Sequence, residues 1–288
     1  FPTRRSSDLV IQVPTAVRNE VMQTLRTHGL SRHSHFIGKP NDRGVVEVWR
    51  DTQNVFSSPL CELHEVWDEV SWRIARLRDN PASADAEHEA AGRPDDSGLH
   101  LHLTFDPSDD VAAPFIHTAR PKLAILREQG VNSQVEMSYA MAKAGFETVD
   151  VHMTDLISGR ETLEDIQFIG AVGGFSNSDV LGSAKGWAGA FLYNEKAKTA
   201  LTNFYKREDT LSVGICNGCQ LLMELELINP EHEVHGKMHH NNSHKHESIF
   251  TSVTIQKNNS VMLSSFEGLT LGVWVSHGEG KFNLPCDG

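Results

Sequence analysis

The sequence predicts an α/β fold over residues 119–288, a mostly parallel sheet with helices on both faces, preceded by a smaller α/β piece. Two observations carry this. From Lys122 to Ile228 short apolar runs alternate with longer amphipathic ones, the pattern of strands joined through crossover helices. Within it, "LSVGICNGCQLLMEL" (211–225) passes with no spacer from a strand-like run into a helical one.

The elements follow in order. "LVIQVP" reads as a strand, "AVRNEVMQTLRTHGL" as a helix closing at Gly29, and "HSHFIGKP" and "VVEVWR" as further strands. Leu63, Val66, Trp67, Val70, Ile74 and Leu77 recur at helical spacing, which predicts a helix over 60–77 with one buried stripe. Pro81 follows and ends it. Residues 79–118 include "NPASADAEHEAAGRPDDSG", polar and rich in Ala, Asp and Pro, and read as a linker. "KLAILR" is then a strand, and "NSQVEMSYAMAKAG" a helix with a Ser133/Glu136 capping box and a closing Gly145. "FETVDVHM", "FIGAVGG" and "LSVGI" are strands, and "NGCQLLMELELI" is a helix stopped by Pro230. A His-rich stretch, "EHEVHGKMHHNNSHKHES", reads as a solvated loop rather than a ligand cluster, and "IFTSVTIQ" and "LTLGVWVS" are late strands.

The totals exclude several classes. At 288 residues and 39% hydrophobic, the chain suffices for one or two ordinary cores. No apolar run approaches a membrane span, so no membrane partner is expected and the cytoplasm is the default location. Four cysteines (Cys61, Cys216, Cys219, Cys286) are too few for a secreted disulfide scaffold. A net charge of -12 argues against nucleic acid as a partner. The first nine residues, "FPTRRSSDL", read as the translation of a sequencing adapter and are set aside, so the sequence is expected to be part of a longer protein.

Gly214-Ile215-Cys216-Asn217-Gly218 has the G-x-nucleophile-x-G form of a nucleophile elbow, at the junction of strand and helix where one belongs. First-turn amides favour an anionic sulfur there. The amide of Asn217 is placed to donate to an oxyanion, and the loop of Gly173 and Gly174, ending a neighbouring strand, to supply a second donor. Three other readings compete. Cys216 and Cys219 form a C-x-x-C, which a redox pair also places at a helix start. Cys219 and His232 match the first half of a zinc-finger spacing, but no histidine follows His232 at the H-x3–5-H interval. The third reading has both thiols inert and buried, the expected fate of Cys219.

The stretches "RPKLAILREQGVNSQVEM", "AGFETVDVHMTDLISGR", "GGFS", "GWA", "GICNGCQLL" and "SHGEGKF" resemble the glutaminase domain of the phosphoribosylformylglycinamidine synthase family, large single-chain type. "VIQVPTAVRNEV" and "RLRDNP", within residues 10–78, resemble the end of the family's ATP-dependent synthetase half. The resemblance implies a class I glutamine amidotransferase fold, which is flavodoxin-like, with a synthetase remnant before it. It implies that Cys216 hydrolyses glutamine, and that the ammonia serves ATP-dependent conversion of formylglycinamide ribonucleotide to its amidine in purine synthesis. The implied partners are glutamine and the synthetase domains. ATP and magnesium belong to the synthetase portion; no cofactor and no metal are expected within this chain. The glutamine-binding set is Gly173, Gly174, Phe175, Asn217, Gln220 and His277. The catalytic His and Glu of the family lie in an H-x-E beyond the position of Gly288, which predicts little turnover from the sequence as it stands. A flavodoxin-like redox or stress protein using the Cys216–Cys219 pair is the alternative.

The chain departs from the family at "GGFSNSDVLGSAKGWA", where "GGFSYGDVLGAGEGWA" is usual. Asn177, Ser178 and Lys185 replace Tyr, Gly and Glu, and His246 stands for a usual Phe. Ser178 is expected to strain a loop that needs a positive φ.

Overall fold

The computed structural model describes residues 9–110, 112–115 and 117–285; Phe1 to Asp8 of the adapter-like start, and Cys286, lie outside them. The chain divides into two compact units between Leu63 and His64.

In the first unit, helix α1 (Arg18–Thr27) ends at a left-handed Gly29, φ +71°. Strands β1 (Val45–Arg50) and β2 (Gln53–Pro59) form an antiparallel hairpin with a bulge at Val48/Trp49. "LVIQVP" and "HSHFIGKP" are irregular instead of the expected strands. An extended run is held as a strand only when a neighbour takes its N–H and C=O groups, and among the described residues neither run pairs with another segment.

Helix α2 (Leu60–Arg78) runs into the second unit, and α3 (Pro81–Ala91) follows. Asn80 caps α3 by accepting from the Ala82 amide, with Pro81 at the first position, where a missing N–H does no harm. Eleven residues of the stretch read as a linker are thus helical. The buried stripe expected on α2 is overturned: Val66, Trp67, Val70, Ile74 and Leu77 are all exposed. The opposite side of the helix carries the contacts to α3. Trp72 donates from Nε1 to Asp85 and stacks on His88 with centroids 4.3 Å apart, while His88 Nδ1 lies 2.8 Å from Asp68.

The remainder builds on β3 (Lys122–Arg127), α4 (Gln134–Lys143), β4 (Glu147–His152), α5 (Met153–Ser158), β5 (Phe168–Ala171), α6 (Lys185–Leu192), α7 (Glu195–Tyr205), β6 (Leu211–Gly214) and α8 (Asn217–Glu224). The four strands form one parallel sheet in the order β4-β3-β5-β6, flanked by helices. This is the α/β arrangement the sequence predicts. Leu123, Ala124, Ile125 and Leu126 are consecutively buried on β3, as in a strand covered on both faces. Trp187, Phe191, Phe204 and Leu221 join them in one core.

Helix ends depart from expectation at two points. Gly145 closes α4 at φ +101°, but Ser133 makes no cap hydrogen bond to α4. Its hydroxyl is taken by Gly173 instead. Helix α8 ends at Glu224, with Glu226 left-handed at φ +61°, before Pro230 is reached.

The late strands lie outside the parallel sheet. β7 (Lys237–His239) pairs antiparallel with β10 (Lys281–Asn283), and β8 (Glu247–Thr254) with β9 (Thr270–His277). The His-rich stretch is only partly a solvated loop, because Asn241 and Ser243 are buried within it. Among the described residues, no helix is long and apolar enough to cross a membrane.

Candidate active site

Cys216 sits between β6 and α8 with φ +55° and ψ -112°, a conformation L-residues avoid unless the surroundings impose it. The flanking glycines explain how it is imposed. A Cβ on Gly214 would lie 2.4 Å from the Gly218 carbonyl oxygen, and one on Gly218 would lie 2.1 Å from that of Ala171. Strand end, turn and helix start are pressed together, so G-x-C-x-G is a packing requirement here. The thiol of Cys216 is free and exposed, and Sγ lies 3.8 Å from the Ser276 carbonyl, to which it donates. Cys219, one turn along α8, is half-buried, and burial pushes its thiol above the ordinary cysteine range, with Cys216 adding to the effect. Both cysteines lie at a strand–helix junction rather than on a hairpin. Among the described residues, no group of three or more His, Cys, Asp or Glu is placed to hold a metal ion.

The structure brings the Gly173–Phe175 loop to Cys216. A Cβ on Gly173 would meet the Cβ of Cys216 at 3.1 Å. The Gly173 amide donates to Ser133 Oγ at 2.9 Å, and the Phe175 amide to the Gly130 carbonyl at 3.3 Å. Gly173 is therefore already occupied as a donor, and Gly174 is the member of the loop whose N–H has no hydrogen-bond partner among the described residues. Gly174 has φ +125°, and a side chain there would run into Val131. Phe175 is half exposed, its ring 6.1 Å from that of His246. His246 in turn bonds Ser276 Oγ at 3.0 Å, so this departure from the family stands at the edge of the site.

Asn217 and Gln220 face inward. Asn217 is fully buried. Its Oδ1 accepts from Ser176 N and Oγ, and its Nδ2 donates to Asp179 and to Gln220 Oε1. Gln220 Nε2 donates to the Glu279 carbonyl at 2.7 Å. The polar ends of both side chains are thus engaged within the protein. His277 is held from the side: Nδ1 lies 2.9 Å from Asn241 Oδ1, and Gly280 packs against its ring.

Asn177, Ser178 and Asp179 have consecutive positive φ values of 52°, 56° and 48°, and Ala184 has 58°. The strain expected at Ser178 is present, at about 1 kcal/mol or more for each such non-glycine residue. Ala184 falls at a second position where the family stretch has glycine. Lys185 is exposed and lines an open cavity of ≈ 380 Å³ with Asp179, Gly182, His239, His240 and Glu279. Cys216 is not among that cavity's lining residues; its thiol meets solvent directly.

Ser133 and Asp179 are site residues that sequence reasoning missed. The spacing of Ser133 and Glu136 pointed to a helix cap instead. Glu279 is legible in the sequence with His277, since "SHGEG" resembles a loop lining the family's glutamine pocket.

A parallel α/β sheet flanked by helices, with an exposed cysteine at a strand–helix elbow, is consistent with a class I glutamine amidotransferase fold. Residues 120–287 match the model of the CobB/CobQ-like glutamine amidotransferase domain, and the chain belongs to that family. A solved structure described as the structure of PurLQS from Thermotoga maritima is similar at 24% identity, over 59% of this chain and 72% of that one, with a TM-score of 0.47.

Proposed function

We propose that this chain is the glutaminase part of a phosphoribosylformylglycinamidine synthase, with Cys216 as its nucleophile. The Cys216 sulfur attacks the side-chain carbonyl carbon of glutamine. The C–N bond breaks, ammonia leaves with the thiol proton, and a thioester remains. Water then cleaves the thioester to glutamate and restores the thiol. The oxyanion on the way is met by the amides of Asn217 and Gly174. Gly173, Phe175 and His277 shape the glutamine surface, while Asn217 and Gln220 hold the elbow from within. Ammonia passes to the ATP-dependent synthetase portion, where ATP and magnesium act.

The single observation that carries this reading is the exposed Cys216 held at φ +55° beside Gly173 in a chain of the glutamine amidotransferase family. The step from that family to the purine synthase rests on the "GGFS", "GICNGCQLL" and "SHGEG" stretches. The redox alternative gains nothing from Cys219, because a thiol pushed up by burial resists the thiolate that exchange requires. Among the described residues, the one hydrogen-bond partner of Cys216 Sγ is a carbonyl and not a histidine. The test is alkylation by a diazo-ketone analogue of glutamine. Labelling that is abolished by Cys216→Ala and kept in Cys219→Ala supports the assignment; the reverse pattern overturns it.

A further inference from the structure

Five side chains, one backbone amide and one backbone carbonyl close a ring of hydrogen bonds behind the nucleophile. Asn217 Nδ2 donates to Asp179 Oδ1 at 3.2 Å, and Ser183 Oγ donates to Asp179 Oδ2 at 3.2 Å. The Ser183 amide donates to Glu279 Oε2 at 3.2 Å, and the Glu279 carbonyl accepts from Gln220 Nε2 at 2.7 Å. Gln220 Oε1 accepts from Asn217 Nδ2 at 3.0 Å, which closes the ring. It joins three separate segments: the start of α8, the strained loop 175–184, and the 277–280 turn after β9. Asn217 follows Cys216 directly, loop 175–184 continues from Gly173 and Gly174, and Ser276, whose carbonyl receives the thiol, lies three residues before Glu279.

The geometry points to Asp179, Ser183 and Glu279 as positioning residues for glutamine attack, which fix the two substrate-facing loops onto the nucleophile helix. Three features argue that the ring does more than fill space. Loop 175–184 holds three successive left-handed residues, a conformation that persists only where neighbours over-determine it. The Asp179 carboxylate supplies this: one oxygen takes Asn217 Nδ2 and the Ala184 amide, the other Ser183 Oγ. Glu279 is the sole member that reaches a second segment with its carboxylate and a third with its carbonyl, so losing that side chain opens the link between the loops and leaves Gln220 in place. Finally, none of the three carboxylate or hydroxyl groups bonds to Cys216, so their removal alters alignment without removing the attacking atom.

This inference rests on the glutaminase reading, and the experiment separates the two. The full chain and its Glu279→Ala, Glu279→Gln and Ser183→Ala variants are treated in parallel with the diazo-ketone glutamine analogue and with iodoacetamide, and labelling of Cys216 is read by peptide mass. Iodoacetamide needs the thiol alone; the analogue also needs the aligned surface. Glu279→Ala is expected to slow analogue labelling by about ten-fold or more, since misplacement on the ångström scale has effects of that order, while iodoacetamide labelling stays within about two-fold of the unaltered chain. Glu279→Gln keeps an oxygen to accept from Ser183 and is expected to recover most of the rate. Equal slowing with both reagents, or no slowing with the analogue, would overturn the positioning role. Should Glu279→Ala fail to fold, Ser183→Ala decides on the same two rates. An unaltered chain labelled by iodoacetamide but not by the analogue would instead overturn the glutaminase reading, and the positioning role with it.

Discussion

The Ser133 hydroxyl accepts from the amide of Gly173 at 2.9 Å and lies 3.2 Å from the Gly173 carbonyl, to which it donates. One side chain at the start of α4 therefore clamps both polar groups of the residue that touches Cys216 Cβ. Ser133→Ala is expected to destabilise the chain by about 1–2 kcal/mol, since a partly buried amide loses its acceptor, and to slow glutamine-analogue labelling of Cys216. Thermal melting and labelling of the same preparation check it; an unchanged melt together with unchanged labelling would remove Ser133 from the site.

Gly218→Ala tests the elbow packing. The added methyl would sit 2.1 Å from the Ala171 carbonyl oxygen, and backbone cannot yield as a flexible side chain does. Overpacking of this kind is expected to cost about 1–3 kcal/mol, read as a lower denaturation midpoint. Analogue labelling should be lost, because α8 must move away from β5. Near-normal stability would mean that the close approach of Gly218 to Ala171 is not real.

Ser178→Gly should stabilise the protein. Ser178 stands at φ +56°, and glycine removes a steric penalty of about 1–2 kcal/mol there, partly offset by about 0.4–1 kcal/mol of greater freedom in the unfolded chain. A net gain of up to about 1 kcal/mol corresponds to roughly 2–4 °C in melting temperature for a domain of this size. A fall in melting temperature would argue that the loop is not left-handed at this position.

Cys219 gives a pH signature. Its thiol is pushed above the ordinary range by burial first and by Cys216 second. A folded-state value above the unfolded one means stability that is fully present below the unfolded thiol range. That stability is lost as pH rises through the folded value. Cys219→Ser is expected to flatten this alkaline loss in urea titrations made between about pH 8 and 10. An unchanged slope would assign the loss elsewhere.

Val70→Lys should leave stability within about 0.5 kcal/mol, as for other surface substitutions, because Val70 is 67% exposed. Denaturation that shifts by several times that amount would restore the buried stripe the sequence suggested.

The fate of that stripe shows where sequence reading worked and where it did not. All four strands of the parallel sheet were legible, most plainly the two central ones, β3 and β5, because "KLAILR" and "FIGA" are short apolar runs buried along most or all of their length. The elbow was legible for a related reason: glycine spacing reports backbone crowding, and Gly214 and Gly218 are crowded. Periodicity on α2 was read correctly as a helix and wrongly as burial, because an apolar stripe says which residues share a side and not what covers it. "PASADAEHEAA" was passed over as a linker, although Asn80 and Pro81 are ordinary helix-start residues. At the site, Ser133 obeyed the capping spacing and bonded elsewhere. Long-range partners such as Glu279 to Ser183, ninety-six positions apart, leave no local pattern to find.

The inward turn of Asn217 has a practical consequence for engineering. The residue after Cys216 looks like an easy place to vary specificity, since its main chain borders the exposed thiol. Its side chain, however, ties loop 175–184 to the start of α8 from beneath, so a library randomised there would sample misassembled loops rather than new substrates. Diversity aimed at the exposed surface belongs at Phe175 and His246, whose rings neighbour each other and which take no part in the buried hydrogen-bond ring.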